Sequence, residues 1–177
     1  DKSAQECVMV DPAWDVDAVL KQAEKDGMKV VAGILPHTHF DHCNGVENLI
    51  EKTGVKIYVH RKEAKFLGNM RENLVETEDG FKLKVGKVEM IFLHTPGHTE
   101  GAQCILAGDK LVTGDTLFVG ACGRCDLPGG NEKNLMQSLK RLASLDGSLK
   151  VFPGHAYGDA DSSTIENEKK TNPFMRF

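Results

Sequence analysis

The chain has few aromatic residues, no excess of positive charge and no long apolar run, and each shortage excludes a class of protein. Aromatic side chains make up 6% of its 177 residues. The longest apolar run, Val30–Pro36, is far shorter than the ~18 residues of a membrane helix. Lysine and arginine number 22 against 26 acidic residues, a net charge of −4, whereas a nucleic-acid surface needs clustered basic residues. We therefore expect neither a membrane nor a nucleic acid as partner.

Cysteine is also scarce, and its distribution predicts a reducing compartment. The five cysteines are an odd number and lie far apart: Cys7, Cys43, Cys104, Cys122 and Cys125. A secreted disulfide scaffold would be denser in cysteine and even-numbered. No signal peptide is visible. We expect reduced thiols in a protein of the cytoplasm or an organelle matrix.

The pattern of apolar residues predicts one α/β domain over residues 1–177. No linker or low-complexity tract divides the chain, and its length suits a single core. The predicted order is strand–helix–strand–helix, then a β-meander, then helix–strand–helix. The main expectations are a helix capped by Asp15, a strand over Lys29–Leu35, a short helix over Arg61–Leu67, an amphipathic helix over Asn131–Leu145, and a last helix capped by Ser163 or Thr164.

A dense group of metal-ligand side chains follows the predicted strand Lys29–Leu35. His37, His39, Asp41 and His42 supply four nitrogen or oxygen donors within six residues. In an extended segment, residues two apart face the same way, so His37, His39 and Asp41 should converge on one point. His42 would then reach a neighbouring position, where the chain turns into a helix. A solvated polar loop is the simpler interpretation of this run taken alone.

Three more candidate ligands follow later strands, each directly after a glycine. They are His98 after Gly97, Asp115 after Gly114 and His155 after Gly154. Glycine suits places where backbones crowd together, and ligands at several strand ends form a rigid cage. Imidazoles with a carboxylate that can bridge suit two divalent ions. A water shared by two metals loses a proton near neutral pH and becomes a nucleophile.

Together these motifs resemble the metallo-β-lactamase superfamily, and within it the small glyoxalase II-like (hydroxyacylglutathione hydrolase-like) hydrolases. The resemblance spans nearly the whole chain, from Asp11-Pro12 to Pro153-Gly154-His155. It implies an αββα sandwich that could lack the usual first strands, and a hydrolase that cleaves a small thioester. It also implies two divalent ions, zinc or alternatively iron or manganese. The implied ligands are His37, His39 and His98 for the first ion, Asp41, His42 and His155 for the second, and Asp115 as bridge.

The resemblance also implies catalytic roles, and the chain departs from the family pattern at two places. Asp41 would orient the attacking water, and Asp115 would hold both ions. Pro36 stands where the family usually has threonine, so the local hydrogen bonding must differ. The chain ends soon after His155, without the helical extension that grips glutathione in glyoxalase II. Glutathione specificity is therefore not carried over.

Two alternatives remain open at this point. The tail from Ser162 to Pro173 and the loop Gly123–Asp126 also resemble persulfide dioxygenases, which use one iron held by two histidines and an aspartate. In that branch alanine normally precedes the aspartate, where this chain has Phe40. The other alternative is a non-catalytic metal-binding domain of a larger assembly. The oligomeric state is not predicted.

Other polar residues receive weaker interpretations. Asp11 could orient a ligand histidine or simply form a turn before Pro12. Arg124 could contact an anionic group of the substrate or order its loop by bonding to backbone. His60 and His94 are expected to pack or to support ligands rather than to bind metal. The Cys122-x-x-Cys125 motif is expected to be structural, because no thioredoxin-type helix follows it.

Overall fold

The first sheet is entirely parallel and lies in the N-terminal half of the chain. The computed structural model describes residues 1–177 apart from the side chain of Asn69. Strands pair in the order β1-β2-β3-β4. Their bounds are Glu6–Val10, Lys29–Leu35, Lys56–His60 and Leu74–Thr77. Parallel strands need crossover connections, which here are helical, so all four carboxyl ends lie at the same edge of the sheet.

The second sheet has six strands in the order β12-β11-β8-β7-β6-β5. Its strands β5 to β8 form an antiparallel meander, and β11 then pairs in parallel with β8. The bounds are Lys82–Val85, Val88–His94, Gln103–Ala107, Lys110–Gly114, Lys150–Pro153 and Ser163–Thr164 for β5 to β8, β11 and β12. A separate two-stranded ribbon pairs β9 (Leu117–Phe118) with β10 (Ala121–Cys122). The parallel β8–β11 pair brings two strand ends together beside the first sheet.

Helices cover the outer faces of both sheets. Asp15 caps α1 by accepting from the Ala18 N–H at 2.9 Å, and Thr164 caps α5 by accepting from Asn167, so both capping predictions are confirmed. The helix bounds are Val16–Lys25, Phe40–Cys43, Val46–Thr53, Glu132–Ala143 and Ile165–Thr171 for α1 to α5. The predicted helix over Arg61–Leu67 is instead a 3₁₀ segment over Ala64–Asn73, kinked at Gly68. Among the described residues, no helix is both long and apolar enough to cross a bilayer.

Three apolar clusters define four layers. The central cluster, with Ile34 and Phe92 fully buried, lies between the two sheets. A second cluster packs α1 and α3 on the first sheet, and a third packs α4 and α5 on the second sheet through residues such as Leu139 and Ile165. The predicted αββα sandwich is therefore confirmed. The sandwich leaves the ends of β2, β8 and β11 close together along one edge.

One polar residue ties the two sheets at that edge. The fully buried Gln103, at the start of β7, donates through its side chain to Leu35 O at 2.8 Å and through its backbone N–H to Pro36 O at 2.9 Å. Pro36 has no N–H to donate, so at this position the hydrogen bond to the second sheet uses its carbonyl group. Gly114, in the left-handed region with φ +47°, lies against Pro36: a side chain there would meet Pro36 Cβ at 2.5 Å. The edge that carries the polar residues is thus closely packed.

Candidate metal centre

Three histidines from both sheets form the first ligand group. His37 and His39 follow β2, and His98 lies in the loop between β6 and β7. His39 Nδ1 is 3.1 Å from His37 Nε2 and 2.9 Å from His98 Nε2. The three nitrogens therefore face one point, as the ligands of a single divalent ion would. Burial lowers the pKa of His98 to about 4, which keeps its imidazole neutral and able to bind a metal.

A second group lies beside the first. It contains Asp41 and His42 on the short helix α2 and His155 directly after β11. His42 Nε2 is 3.0 Å from His155 Nε2, and His155 Nε2 is 3.4 Å from Asp41 Oδ2. Two imidazoles and a carboxylate are again a donor set for a divalent transition-metal ion.

Asp115 lies between the two groups. Its Oδ1 is 3.4 Å from His42 Nε2, and its Oδ2 is 3.5 Å from His98 Nε2 and 3.4 Å from His155 Nε2. Burial raises the pKa of this carboxyl to about 6, against the opposing effect of His42 and His155. Asp115 Oδ1 is buried and has no hydrogen-bond partner among the described residues. A buried carboxylate oxygen without a donor needs a cation, so the donor set fits metal binding.

The spacing argument for Asp41 was wrong: the structure groups it with His42 and His155, the grouping that the family resemblance implies. Alternation along an extended segment predicted that Asp41 would join His37 and His39. The extended segment ends at His39, and the chain becomes helical at the next residue, Phe40, where α2 begins. Successive side chains are about 100° apart around a helix axis, whereas along a strand they are about 180° apart. Asp41 therefore lies with His42 and His155.

The chain is similar to known proteins in sequence and in fold. A sequence profile described as the metallo-beta-lactamase superfamily matches residues 2–155. The chain belongs to this superfamily. "Probable polyketide biosynthesis zinc-dependent hydrolase BaeB" from Bacillus velezensis is 32% identical over 99% of this chain and 79% of its own length. Among solved structures, ETHE1 from Myxococcus xanthus has a TM-score of 0.89 at 31% identity, covering 98% of this chain and 75% of that one. TTHA1623 in a di-iron-bound form has a TM-score of 0.80 at 32% identity, covering 94% and 88%.

Asp11 supports a histidine of this superfamily site. Its Oδ2 lies 3.1 Å from His42 Nδ1, on the side of the ring opposite the second group. Burial would lower the pKa of His42, but the carboxylates of Asp11 and Asp115 outweigh it and raise the pKa. Asp11 itself lies in the left-handed region, with φ +50°. The position predicted for Asp11, next to a candidate ligand, agrees with the structure.

Arg124 reaches the site through its backbone rather than its side chain. His98 Nδ1 lies 2.7 Å from Arg124 O, so the ring donates there and presents Nε2 to the first group. The guanidinium is exposed and binds both oxygens of Asp126, at 2.7 and 2.8 Å. The expected bond from the side chain to backbone is therefore wrong. Contact with an anionic substrate stays a prediction.

The other singled-out histidines and cysteines lie outside the ligand groups. The rings of His60 and His94 stack at 4.1 Å between centroids, and neither belongs to a ligand group of the described residues. All five cysteines are free thiols. Cys122 and Cys125 pack on the apolar cluster beneath α4, as expected for a structural loop. Cys43 donates to Thr38 O at 3.4 Å.

Sequence reasoning missed Glu63. It lies in the charged run Arg61-Lys62-Glu63, which looks solvent-exposed, yet its side chain is 1% exposed. Its Oε2 accepts from the N–H and hydroxyl of Thr38, and its Oε1 accepts from the Gly101 N–H at 2.9 Å. Glu63 thus ties together the loops that carry His37, His39 and His98. No local pattern distinguishes this glutamate from its exposed neighbours.

Proposed function

We propose that this chain is a dinuclear metal-dependent hydrolase that cleaves a thioester. The observation that carries the proposal is the position of Asp115, with one oxygen toward His42 and the other toward His98 and His155. Two groups of ligands that share one carboxylate fit two ions rather than one. The relatives named zinc-dependent hydrolases support zinc, and the di-iron form of TTHA1623 supports iron as an alternative.

The proposed ligands are the seven residues predicted from the sequence. His37, His39 and His98 would hold the first ion, Asp41, His42 and His155 the second, and Asp115 would contact both. Two bound divalent ions would lower the pKa of a water held between them and polarise the carbonyl group of the substrate. The side chain of Asp41 is 44% exposed, so it can accept a hydrogen bond from the attacking water and orient it. A thiolate is a good leaving group, so no strong general acid is needed.

The persulfide dioxygenase alternative rests on the ETHE1 neighbour and on the tail of the chain. In the structure that tail has a packing role: Glu168, fully buried, accepts from the Gly120 N–H at 2.9 Å, and Asn172 donates to Ala121 O at 2.9 Å. Both contacts hold the turn between β9 and β10. Because a structural brace is compatible with either chemistry, the tail does not favour the dioxygenase. The intact second ligand group favours the hydrolase.

Metal content and two assays test the proposal. Mass spectrometry of the purified protein should find about two ions per chain, and about one in His155→Ala. The wild type should hydrolyse acyl thioesters of N-acetylcysteamine, and His98→Ala, which removes a ligand of the first ion, should lose that ion and turnover. One iron per chain, with oxygen uptake on glutathione persulfide, would establish the dioxygenase instead. A metal-loaded protein inactive in both assays would support a non-catalytic domain.

A further inference from the structure

Two aromatic side chains beside the metal centre are unusually exposed. Trp14 and Phe40 are each 71% exposed, in a chain with one tryptophan and eight phenylalanines. Their rings contact each other edge to face, with centroids 6.0 Å apart. An exposed apolar pair of this size is a common mark of a binding surface, since burial in the core is the default for such residues.

The backbone holds Trp14 outward at a cost. Trp14 lies in the left-handed region with φ +55°, which bulky residues rarely adopt. Its N–H donates to Asn44 Oδ1 at 2.7 Å, and Pro12 O accepts from the Gly45 N–H at 3.0 Å. These two bonds fix the loop against the start of α3. Strain that the surroundings maintain at such a site points to a function for the side chain it displays.

The aromatic pair is directly continuous with the ligand groups. Phe40 is the residue between His39, of the first group, and Asp41, of the second. Trp14 contacts the Phe40 ring, so the two rings form one apolar surface next to the loop that carries His39 and Asp41. A substrate whose carbonyl lies at Asp115 could therefore place one of its two arms along Phe40 and Trp14.

A cavity beside His39 offers room for the other arm of a thioester. Its volume is about 240 Å³, and its lining includes Lys65, Phe66, Thr99 and Pro128 together with the acidic residues Glu63 and Glu100. The Lys65 ammonium lies 4.9 Å from the centre of the Phe66 ring, and the Thr99 hydroxyl is buried without a hydrogen-bond partner among the described residues. Both offer a charge or a hydrogen bond to a polar thiol carrier.

We propose that Trp14 and Phe40 bind a hydrocarbon acyl chain, so that the preferred substrates are thioesters of medium-length or long apolar acids. This inference rests on the proposed thioesterase function. The pair offers apolar ring surface, and no lysine or arginine adjoins either residue in the chain. An uncharged hydrocarbon chain needs no counter-charge there. The proposal thus assigns the apolar arm to Trp14 and Phe40 and the carrier thiol to the cavity beside His39.

A series of acyl chains on one thiol tests the assignment. Acetyl, butyryl, hexanoyl and octanoyl thioesters of N-acetylcysteamine would be compared by kcat/KM. Full burial of a methylene gives about a fourfold gain, and a chain lying on an open surface is half covered, so we expect about twofold per methylene. Trp14→Ala should reduce the ratio of octanoyl to acetyl kcat/KM several-fold. Phe177→Ala removes an aromatic side chain that is 59% exposed beside α4, and it should keep the wild-type ratio.

Trp14 also reports binding without turnover, because it is the only tryptophan. In the metal-loaded protein, S-octyl-N-acetylcysteamine, a thioether that cannot be hydrolysed, should shift the tryptophan emission to shorter wavelength. The S-methyl analogue should not shift it. Phe40→Ala should weaken the response to the octyl compound.

The outcomes separate this proposal from the proposed function. Hydrolysis with equal kcat/KM along the series, and no emission shift, would overturn the acyl site and leave the thioesterase standing. An octyl-specific shift without hydrolysis of any thioester would keep the apolar site and overturn the reaction. The tryptophan emission could instead be blue-shifted without ligand in a dimer and move to longer wavelength when the protein is diluted to the monomer. That result would assign Trp14 and Phe40 to an interface between two copies of the chain and overturn the proposal.

Discussion

Removing the buried carboxylate of Glu63 should damage the first ligand group more than the second. Glu63 accepts hydrogen bonds from Thr38, which separates His37 from His39, and from Gly101, three residues after His98. Glu63→Ala would leave the N–H groups of Thr38 and Gly101 without their acceptor. Each buried donor left unpaired costs about 1–3 kcal/mol, so we expect a loss of about 3–5 kcal/mol in the free energy of unfolding.

The conservative variant separates positioning from folding. Glu63→Gln retains one carbonyl oxygen, so about 1–3 kcal/mol should be lost and the protein should fold. Its first ligand group should bind metal about 10–100-fold more weakly, as is usual when groups that orient metal ligands are changed. The second group, with Asp41, His42 and His155, should bind as in the wild type.

Chelator competition on the metal-loaded protein, with urea unfolding of the metal-free protein, would measure both effects. Glu78→Gln is a matched control, because Glu78 is 68% exposed and pairs only with Arg61, at 3.5 Å. It should change stability by less than about 0.5 kcal/mol and leave metal affinity unchanged. If Glu63→Gln released both ions equally, or neither, the reasoning that links Glu63 to the first group would be refuted.

Two further predictions concern acid stability and backbone space. Burial lowers the pKa of His60 to about 4, assisted by the adjacent His94, whereas the unfolded chain titrates near 6.5. The unfolded state binds the proton first, so His60 should contribute a loss of up to about 3 kcal/mol in stability from pH 6.5 to 4, beside the loss from His98. His60→Asn should lose less stability than the wild type over this range, measured by urea unfolding across pH. In Gly97→Ala, the new Cβ would lie 2.3 Å from Leu135 Cα, so the loss of stability measured by thermal unfolding should be large. In Gly108→Ala, the space is open, so only about 1–2 kcal/mol should be lost to the strain of a left-handed backbone. Equal losses in the two glycine variants would contradict the packing argument.

Helices and strands with a clear apolar pattern of their own were predicted from the sequence, whereas short strands that depend on pairing were not. The strand Lys29–Leu35 has the predicted bounds, because its apolar run ends at Pro36, which cannot donate to a strand partner. Strand β4 (Leu74–Thr77) was missed, since four residues carry little periodicity and the strand exists through pairing with β3. The ribbon β9–β10 and the two-residue β12 were missed for the same reason.

The candidate ligands were identified from donor chemistry, and Asp11 was identified as a residue beside one of them, but the buried Glu63 was not. Histidines and aspartates after apolar runs are visible in the sequence, and the structure brings all seven predicted ligands together. The grouping of Asp41 depended on where a helix begins, which the alternation argument could not supply. Glu63 depends on a contact with Thr38, 25 residues away, and nothing near it in the sequence marks it as buried.

The two ligand groups are not divided between the two sheets, and this ties metal binding to the closure of the sandwich. Four ligands follow β2 of the first sheet, and the other three follow β6, β8 and β11 of the second. Each group combines residues from both sets, so neither forms until the sheets pack and Gln103 joins β7 to the end of β2. A site of this kind does not pre-exist in the unfolded chain, so the free energy of binding the proposed ions would add to the stability of the fold. The same geometry suits Asp115 to the proposed bridging position: β8 is parallel to β11 and ends against Pro36, so a carboxylate there can face candidate ligands from both sheets.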